Sequence, residues 1–432
     1  MMKKILSLLF LLSAFVGKAQ MYFPPINNAS TWDTISPQSL GWCTNKIPDL
    51  YNMLEEKKTK AFIVLKDGKI VMEKYFGTFT IDSSWYWASA GKSLVGFMVG
   101  QAQEKGLLSI EDSSSKYLGQ GFTSCPPEKE GLIKIKHQLT MTTGLDEKVP
   151  DLDCTTPSCL NYKSDAGTRW YYHNAPYKLL QTVVANASGI TFQQFTNQNV
   201  SARTGMYGLW VNETFVSKPR NMARFGLLIL NKGIWGTDTL LKDRSYFTSM
   251  TNTSQNLNQS YGYLWWLNGK QSFMLPGTSF VFAGGIIPTA PSDMIAALGK
   301  NDQKIYVVPS KNLVVIRMGE DGNNNENDVP IQIDTMIWNK LNEVMCANNT
   351  SIADITTSSM SVYPNPFTDE ITLDLSATES TEPIQIFNHI GQLVMTRNVI
   401  GSDKNITINL ADLKTDIYFI KHGNYQTKVV KY

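Results

Sequence analysis

Ala61-Phe-Ile-Val-Leu65 and Lys69-Ile-Val-Met72 read as two strands joined by a tight turn, because the intervening Asp67-Gly68 supplies the positive-φ positions that a two-residue hairpin loop requires. Far downstream, Ile305-Tyr-Val-Val308 and Leu313-Val-Val-Ile316 flank Pro309-Ser-Lys-Asn312 and repeat the pattern in mirror fashion. A helical period containing Leu50 and Leu54 precedes the first hairpin, and another runs from about Val329 to Val344 after the second. Strands at both ends with helices between them predict one domain over residues 41–347. Its antiparallel sheet recruits both termini and is flanked by helices, with an inserted helical region covering it. The expected class is α/β, as a sandwich rather than a doubly wound parallel sheet.

Composition limits what such a chain does. Of 432 residues, 42% are hydrophobic and 18% charged, which allows a sizeable core and argues against disorder or a coiled coil. Lys and Arg number 39 against 37 Asp and Glu, so no bulk attraction to nucleic acid or to an anionic membrane is expected. Four His and five Cys, with no H-E-x-x-H and no paired C-x-x-C, leave little for a metal site; no metal and no organic cofactor is expected.

Residues 1–19 read as a signal peptide, with Lys3 and Lys4 at the start, an apolar run from Ile5 to Val16, and small Gly17 and Ala19 near a cleavage-like site. The run is shorter than the roughly 20 residues of a membrane span, and no later segment supplies one. The expectation is export to the periplasm, then secretion or attachment at the cell surface, with residues 20–40 as an N-terminal extension. Export permits disulfides. Cys43 and Cys346 lie beside the two terminal helices and can staple them. Cys154 and Cys159 are close enough for a small loop closure, with Cys125 as competitor or leftover, and spacing alone leaves the connectivity open.

After Cys346 the composition turns to Asn, Ser and Thr without apolar period, an expected linker over 348–360. Short alternating runs follow at 371–375, 384–387, 406–410 and 417–420, the pattern of a small β-sandwich over 361–432. Val362-Tyr-Pro-Asn-Pro-Phe367, Phe387-Asn-His-Ile-Gly-Gln-Leu-Val394 and the ending Ile417-Tyr-Phe-Ile420 with Lys428-Val-Val-Lys431 resemble the Por-type C-terminal sorting domain. That resemblance implies the type IX secretion machinery as a partner. Thr415-Asp416 stands where such domains carry a small residue and Gly.

The chemistry centres on Ser89-Ala-Gly-Lys92, just ahead of the apolar Leu94, Val95, Phe97 and Met98 of a helix ending near Gly106. Residues i and i+3 share a helix face, so the Lys92 amine reaches the Ser89 hydroxyl, and apolar burial lowers a lysine pKa toward that of a working base. Ser89 at the helix start also has a free backbone N–H beside the positive dipole end. The same S-x-x-K spacing recurs in a polar loop at Ser113-Ser-Ser-Lys116, and a helix-capping serine followed by a solvated lysine would look identical. Tyr172-His-Asn174, after Arg169-Trp170, offers a phenol and an amide opposite the serine. Gly91-Lys92-Ser93 lacks the upstream Gly of a P-loop, and no G-x-S-x-G occurs.

Order and surroundings sharpen this reading. With Gly106-Leu-Leu-Ser-Ile-Glu-Asp112, Ile135-Lys-His-Gln-Leu-Thr-Met-Thr-Thr-Gly-Leu-Asp146, Asn221-Met-Ala-Arg-Phe-Gly226 and Tyr261-Gly-Tyr-Leu-Trp-Trp266, the central domain resembles the serine β-lactamase and penicillin-recognising superfamily. The resemblance is to its class C-like esterase and 6-aminohexanoate-oligomer hydrolase branches. It implies a β-lactamase/transpeptidase-like fold, Ser89 as acylated nucleophile, Lys92 as base, Tyr172 as proton relay and Asn174 as a polar substrate contact. Gly299-Lys-Asn-Asp-Gln303 stands at the third family motif. Lys300 matches its cationic position, Asn301 and Asp302 replace small residues, and backbone near Gln303 is expected to give the second oxyanion donor. Asp302 there disfavours a β-lactam carboxylate. The expected activity is hydrolysis of a small-molecule ester or amide, against a β-lactamase or D,D-peptidase and against a catalytically silent surface binding protein. Aromatic residues Trp85, Tyr86, Trp87, Trp170, Tyr171, Trp265 and Trp266 are expected near the cleft, several as core packing.

Overall fold

The computed structural model describes residues 21–27, 31–322, 331–347 and 360–432, apart from a few short breaks in the last stretch. The leader expected over 1–19 and nearly all of the linker expected over 348–360 lie outside the described residues. Helix α1 (Ile47–Glu56) leads into strands β1 (Thr59–Lys66) and β2 (Lys69–Tyr75). The turn between them places Asp67 at φ 51° and Gly68 at φ 83°, the backbone that Asp-Gly favours. Helices α2 (Gly91–Glu104), α3 (Asn174–Ser188) and α4 (Pro219–Leu230) belong to the insert. Strands β3 (Trp266–Leu267), β4 (Ile295–Gly299), β5 (Gln303–Val308) and β6 (Leu313–Gly319) complete the sheet before helix α5 (Ile331–Val344).

The sheet order is β2-β1-β6-β5-β4-β3, antiparallel throughout, so the two terminal hairpins predicted from sequence meet at the β1–β6 pairing. Alternation along β5 separates two layers. Tyr306 faces α5, where its ring meets Trp338, while Ile305 and Val314 face the α4 helix at Gly226. Both faces are covered, and β5 and β6 are accordingly buried from end to end. A disulfide joins Cys43 to Cys346 beside α1 and α5, a second joins Cys154 to Cys159, and Cys125 is free.

Residues 361–432 form a separate core around Ile371, Ile386, Ile408 and Ile420, between a three-stranded and a four-stranded sheet. This is the expected small sandwich. Asp416 opens the strand Asp416–His422, which pairs in continuous register with Tyr425–Lys431, so Thr415-Asp416 leaves the final hairpin intact. No described helix is long and apolar enough to cross a membrane.

Candidate active site

Ser89 sits in a single 3-10 turn, Ala88–Ala90, between the short strand Trp85–Tyr86 and α2. Trp87 anchors that turn: its backbone N–H donates to Phe215 O at 2.8 Å, its indole N–H to Ser217 Oγ at 2.9 Å, and its ring is fully buried. Ala88 is held at φ 47°, a left-handed conformation that costs a non-glycine residue energy and is found where surrounding structure enforces it. The turn therefore presents the serine rather than merely capping the helix.

One helical turn on, α2 is buried on all sides from Gly91 to Ala102, and Lys92 is only 2% exposed. Its amine lies 2.7 Å from Ser89 Oγ in a hydrogen bond and donates to Asn174 Oδ1 at 2.9 Å. Burial pushes the Lys92 pKa well below the usual lysine range; the Asp153 charge opposes this and Lys178 assists it. The other S-x-x-K is different in kind: Lys116 is exposed and pairs with Asp112 at 2.9 Å.

The Tyr172 phenol lies close enough to the Ser89 hydroxyl to be influenced by it: burial raises its pKa, the serine lowers it and the Asp153 charge raises it. Its ring is clamped in place, stacked on Trp266 at 5.7 Å and edge-on to Tyr261 at 6.3 Å. Because the backbone at His173 is extended, neighbouring side chains point to opposite sides. Tyr172 and Asn174 thus turn to Lys92, while His173 is buried without a hydrogen-bond partner for either ring nitrogen. Burial lowers the His173 pKa to about 4, so the ring is neutral at pH 7. Of the expected cleft aromatics, Trp87, Trp170, Trp265 and Trp266 are core, and Trp85, Tyr86 and Tyr171 are half-buried.

The opposite wall departs from the sequence expectation. Gln303 is fully buried, its amide donating to Asn301 O and Gly319 O at 2.7 Å, so its side chain serves the turn and not a ligand. Asp302 also points inward, 3.2 Å from Lys304, which in turn reaches Asp334 at 2.8 Å. Burial raises the Asp302 pKa, but Lys304 and Arg317 outweigh it and the carboxyl ends below its usual value. Asp302 accordingly has no bearing on a carboxylate in the cleft. Lys300 is exposed. The backbone that meets the serine turn is Gly299: a Cβ there would lie 2.5 Å from Trp87 O and 3.1 Å from Ser89 N. Sequence reasoning placed this contact four residues too late, although a glycine ending a strand signals close backbone approach. It also missed Tyr177, whose ring lies 4.0 Å from the Lys92 amine and which follows Asn174 by one helical turn.

A family model described as Beta-lactamase matches residues 54–330, well over half of the chain. The chain belongs to the beta-lactamase family. The tail of this beta-lactamase-family protein matches the secretion system C-terminal sorting domain over residues 361–432, which implies the type IX machinery and delivery to the cell surface or extracellular space. An uncharacterized protein of Alkalihalophilus pseudofirmus is 24% identical over 315 residues, 61% of this chain and 87% of that one. The "Putative penicillin-binding protein PbpX" of Bacillus subtilis is 26% identical over 173 residues, 36% of this chain and 42% of that relative, so the match spans less than half of the relative's length. Among solved structures, the "Putative 6-aminohexanoate-dimer hydrolase from Bacillus anthracis" superposes with TM-score 0.55 at 17% identity, covering 69% of this chain and 81% of that one. An octameric penicillin-binding protein homologue from Pyrococcus abyssi gives 0.52 at 13% identity, covering 89% and 99%. At such identities the likeness shows the fold alone.

Proposed function

We propose that the protein is an exported serine hydrolase that cleaves an ester or amide bond through an acyl-Ser89 intermediate, of the esterase or 6-aminohexanoate-oligomer hydrolase type. The observation that carries this reading is the buried Lys92 amine at 2.7 Å from Ser89 Oγ. A lysine whose pKa is lowered by burial is available as the neutral base that takes the hydroxyl proton as Ser89 attacks the carbonyl carbon. The oxyanion is held by backbone N–H groups of the Ser89 turn and of the Gly299–Lys300 edge. The proton passes through Tyr172 to the leaving alcohol or amine, and water then attacks the acyl-enzyme with the same groups returning the proton to Ser89. Asn174 fixes the lysine and offers its amide N–H to the substrate. Lys300, exposed at the rim, faces an incoming acyl chain.

Residues 41–347 would carry this chemistry, with 361–432 as the sorting module and 1–19 removed on export. The mature protein, treated with a fluorophosphonate probe, should label at Ser89 and lose label on Ser89→Ala; labelling that survives the substitution overturns the reading. A panel of short esters, linear ω-amino-acid amides, D-Ala-D-Ala peptides and nitrocefin separates this function from the second reading, a β-lactamase or D,D-peptidase.

A further inference from the structure

Resting on the Ser89 reading, we infer that the Tyr86–Asn301 pair is a positioning latch that holds the Gly299–Lys300 backbone against the nucleophile turn. Asn301 Nδ2 donates to Tyr86 Oη at 2.6 Å. Tyr86 lies three residues before Ser89, on the strand that feeds the nucleophile turn, and Asn301 lies two residues after Gly299. The bond therefore ties together, from the solvent side, the two segments whose backbone N–H groups face one oxyanion. Both side chains are half-buried, at the surface of the cleft wall.

The turn itself is an unusual solution to a missing motif. Asn301 and Asp302 are both left-handed, at φ 55° and 61°, a pairing that short polar residues tolerate and most others resist. From the sheet side the turn is fully bound: Gln303 takes the Asn301 carbonyl, and Arg317 donates to Asp302 O at 2.8 Å. The Asp302 carboxylate accepts from Gly322 N at 3.2 Å. These contacts fix the rear of the turn and leave its distance from Ser89 to the contact made at the front. Gly299 has no side chain to hold the segments apart, so its backbone comes up against the serine turn, and the polar bridge from Asn301 to Tyr86 keeps it there. An oxyanion donor works only when its N–H is about 3 Å from the charge that develops, and losing one donor outright costs about a hundredfold or more in kcat. Loosening the segment by part of an ångström should cost less, about tenfold.

The test uses full-length mature protein with p-nitrophenyl acetate, comparing Tyr86→Phe, Asn301→Gly and the double variant, with Ser89→Ala as control. Glycine is chosen at 301 because it keeps the positive φ while removing the amide. The expected result is a kcat about tenfold lower in each single variant at unchanged KM, no further loss in the double variant because one bond is removed either way, and melting temperatures within a few degrees of wild type. Unchanged kcat, or losses that multiply in the double variant while Ser89→Ala is inactive, overturns the latch alone. Turnover that persists in Ser89→Ala overturns the hydrolase reading, and the latch with it.

Discussion

Two walls face Ser89, and they are made of different material. The wall contributed by α2, α3 and the segment leading into α3 is made of side chains: Lys92 bonds Ser89 and Asn174, and the Tyr172 phenol lies beside them. The wall contributed by β4 is made of backbone: Gly299 abuts the serine turn, and of the residues after it Asp302 and Gln303 turn their side chains inward. On the proposed mechanism the first wall tolerates little change, because each of its groups has a part in the reaction. The second works through main-chain N–H groups, which need no particular side chain of their own but do need a held position, the part assigned above to the Tyr86–Asn301 bond.

The largest effects should fall on the side-chain wall. Ser89→Ala should lower kcat/KM for p-nitrophenyl acetate by roughly a thousandfold or more, to the level that binding and oxyanion contacts alone provide. The wild-type rate should climb with pH as Lys92 loses its proton, and it should do so well below the ordinary lysine pKa, because burial depresses it. A flat profile from mildly acidic to alkaline pH would break the assignment of Lys92 as base.

Next comes a stability effect just behind that wall, at the residue between Tyr172 and Asn174. The His173 pKa is lowered by burial from 6.5 to about 4, so the unfolded chain binds its proton first as pH falls. Stability should therefore drop between pH 6.5 and 4, by up to about 3 kcal/mol, and be fully present above 6.5. Replacing His173 with Leu should flatten that part of the denaturation profile; an unaltered acid limb would show that other groups carry it. Tyr172→Phe should follow, with kcat reduced about a hundredfold, within the range of a lost general acid–base group. Because the ring is packed between Trp266 and Tyr261, the phenylalanine variant should keep its melting temperature, which separates relay from packing.

What the sequence reveals follows the same division. The sheet was legible because buried strands such as Ile305–Val308 and Leu313–Ile316 write their burial into apolar runs, and the Asp67-Gly68 turn writes its φ angles into residue choice. Lys92 was legible because residues i and i+3 share a helix face, while Tyr172 and Asn174 were suggested by the Tyr-His-Asn motif and by the family resemblance rather than by periodicity. The β4 wall was not, since its functional atoms are main chain and every residue has them. Its residues misled: Asp302 was expected to bear on a substrate carboxylate and backbone near Gln303 to give the oxyanion donor, whereas the Asp302 side chain joins a buried network with Lys304 and Asp334, and the Gln303 amide is consumed by Asn301 O and Gly319 O. Tyr177 escaped notice because an aromatic residue on a helix face is core by default, and only its 4.0 Å approach to the Lys92 amine distinguishes it.

The smallest effect sharpens the contrast most, because it asks whether any side chain on the β4 wall touches substrate. Lys300 is exposed, so solvent and salt screen its charge, and its contribution to a neutral ester should be within about twofold on Lys300→Ala. An ester with a carboxylate on its acyl chain is different, because the cation then meets an anion at the rim. The same substitution should raise KM for that ester by about threefold at low ionic strength, and the difference should vanish in about 0.5 M salt, where the screening length is only a few ångströms. Equal losses for both esters, insensitive to salt, would mean that Lys300 acts through the position of its own backbone. The β4 wall would then be main chain throughout.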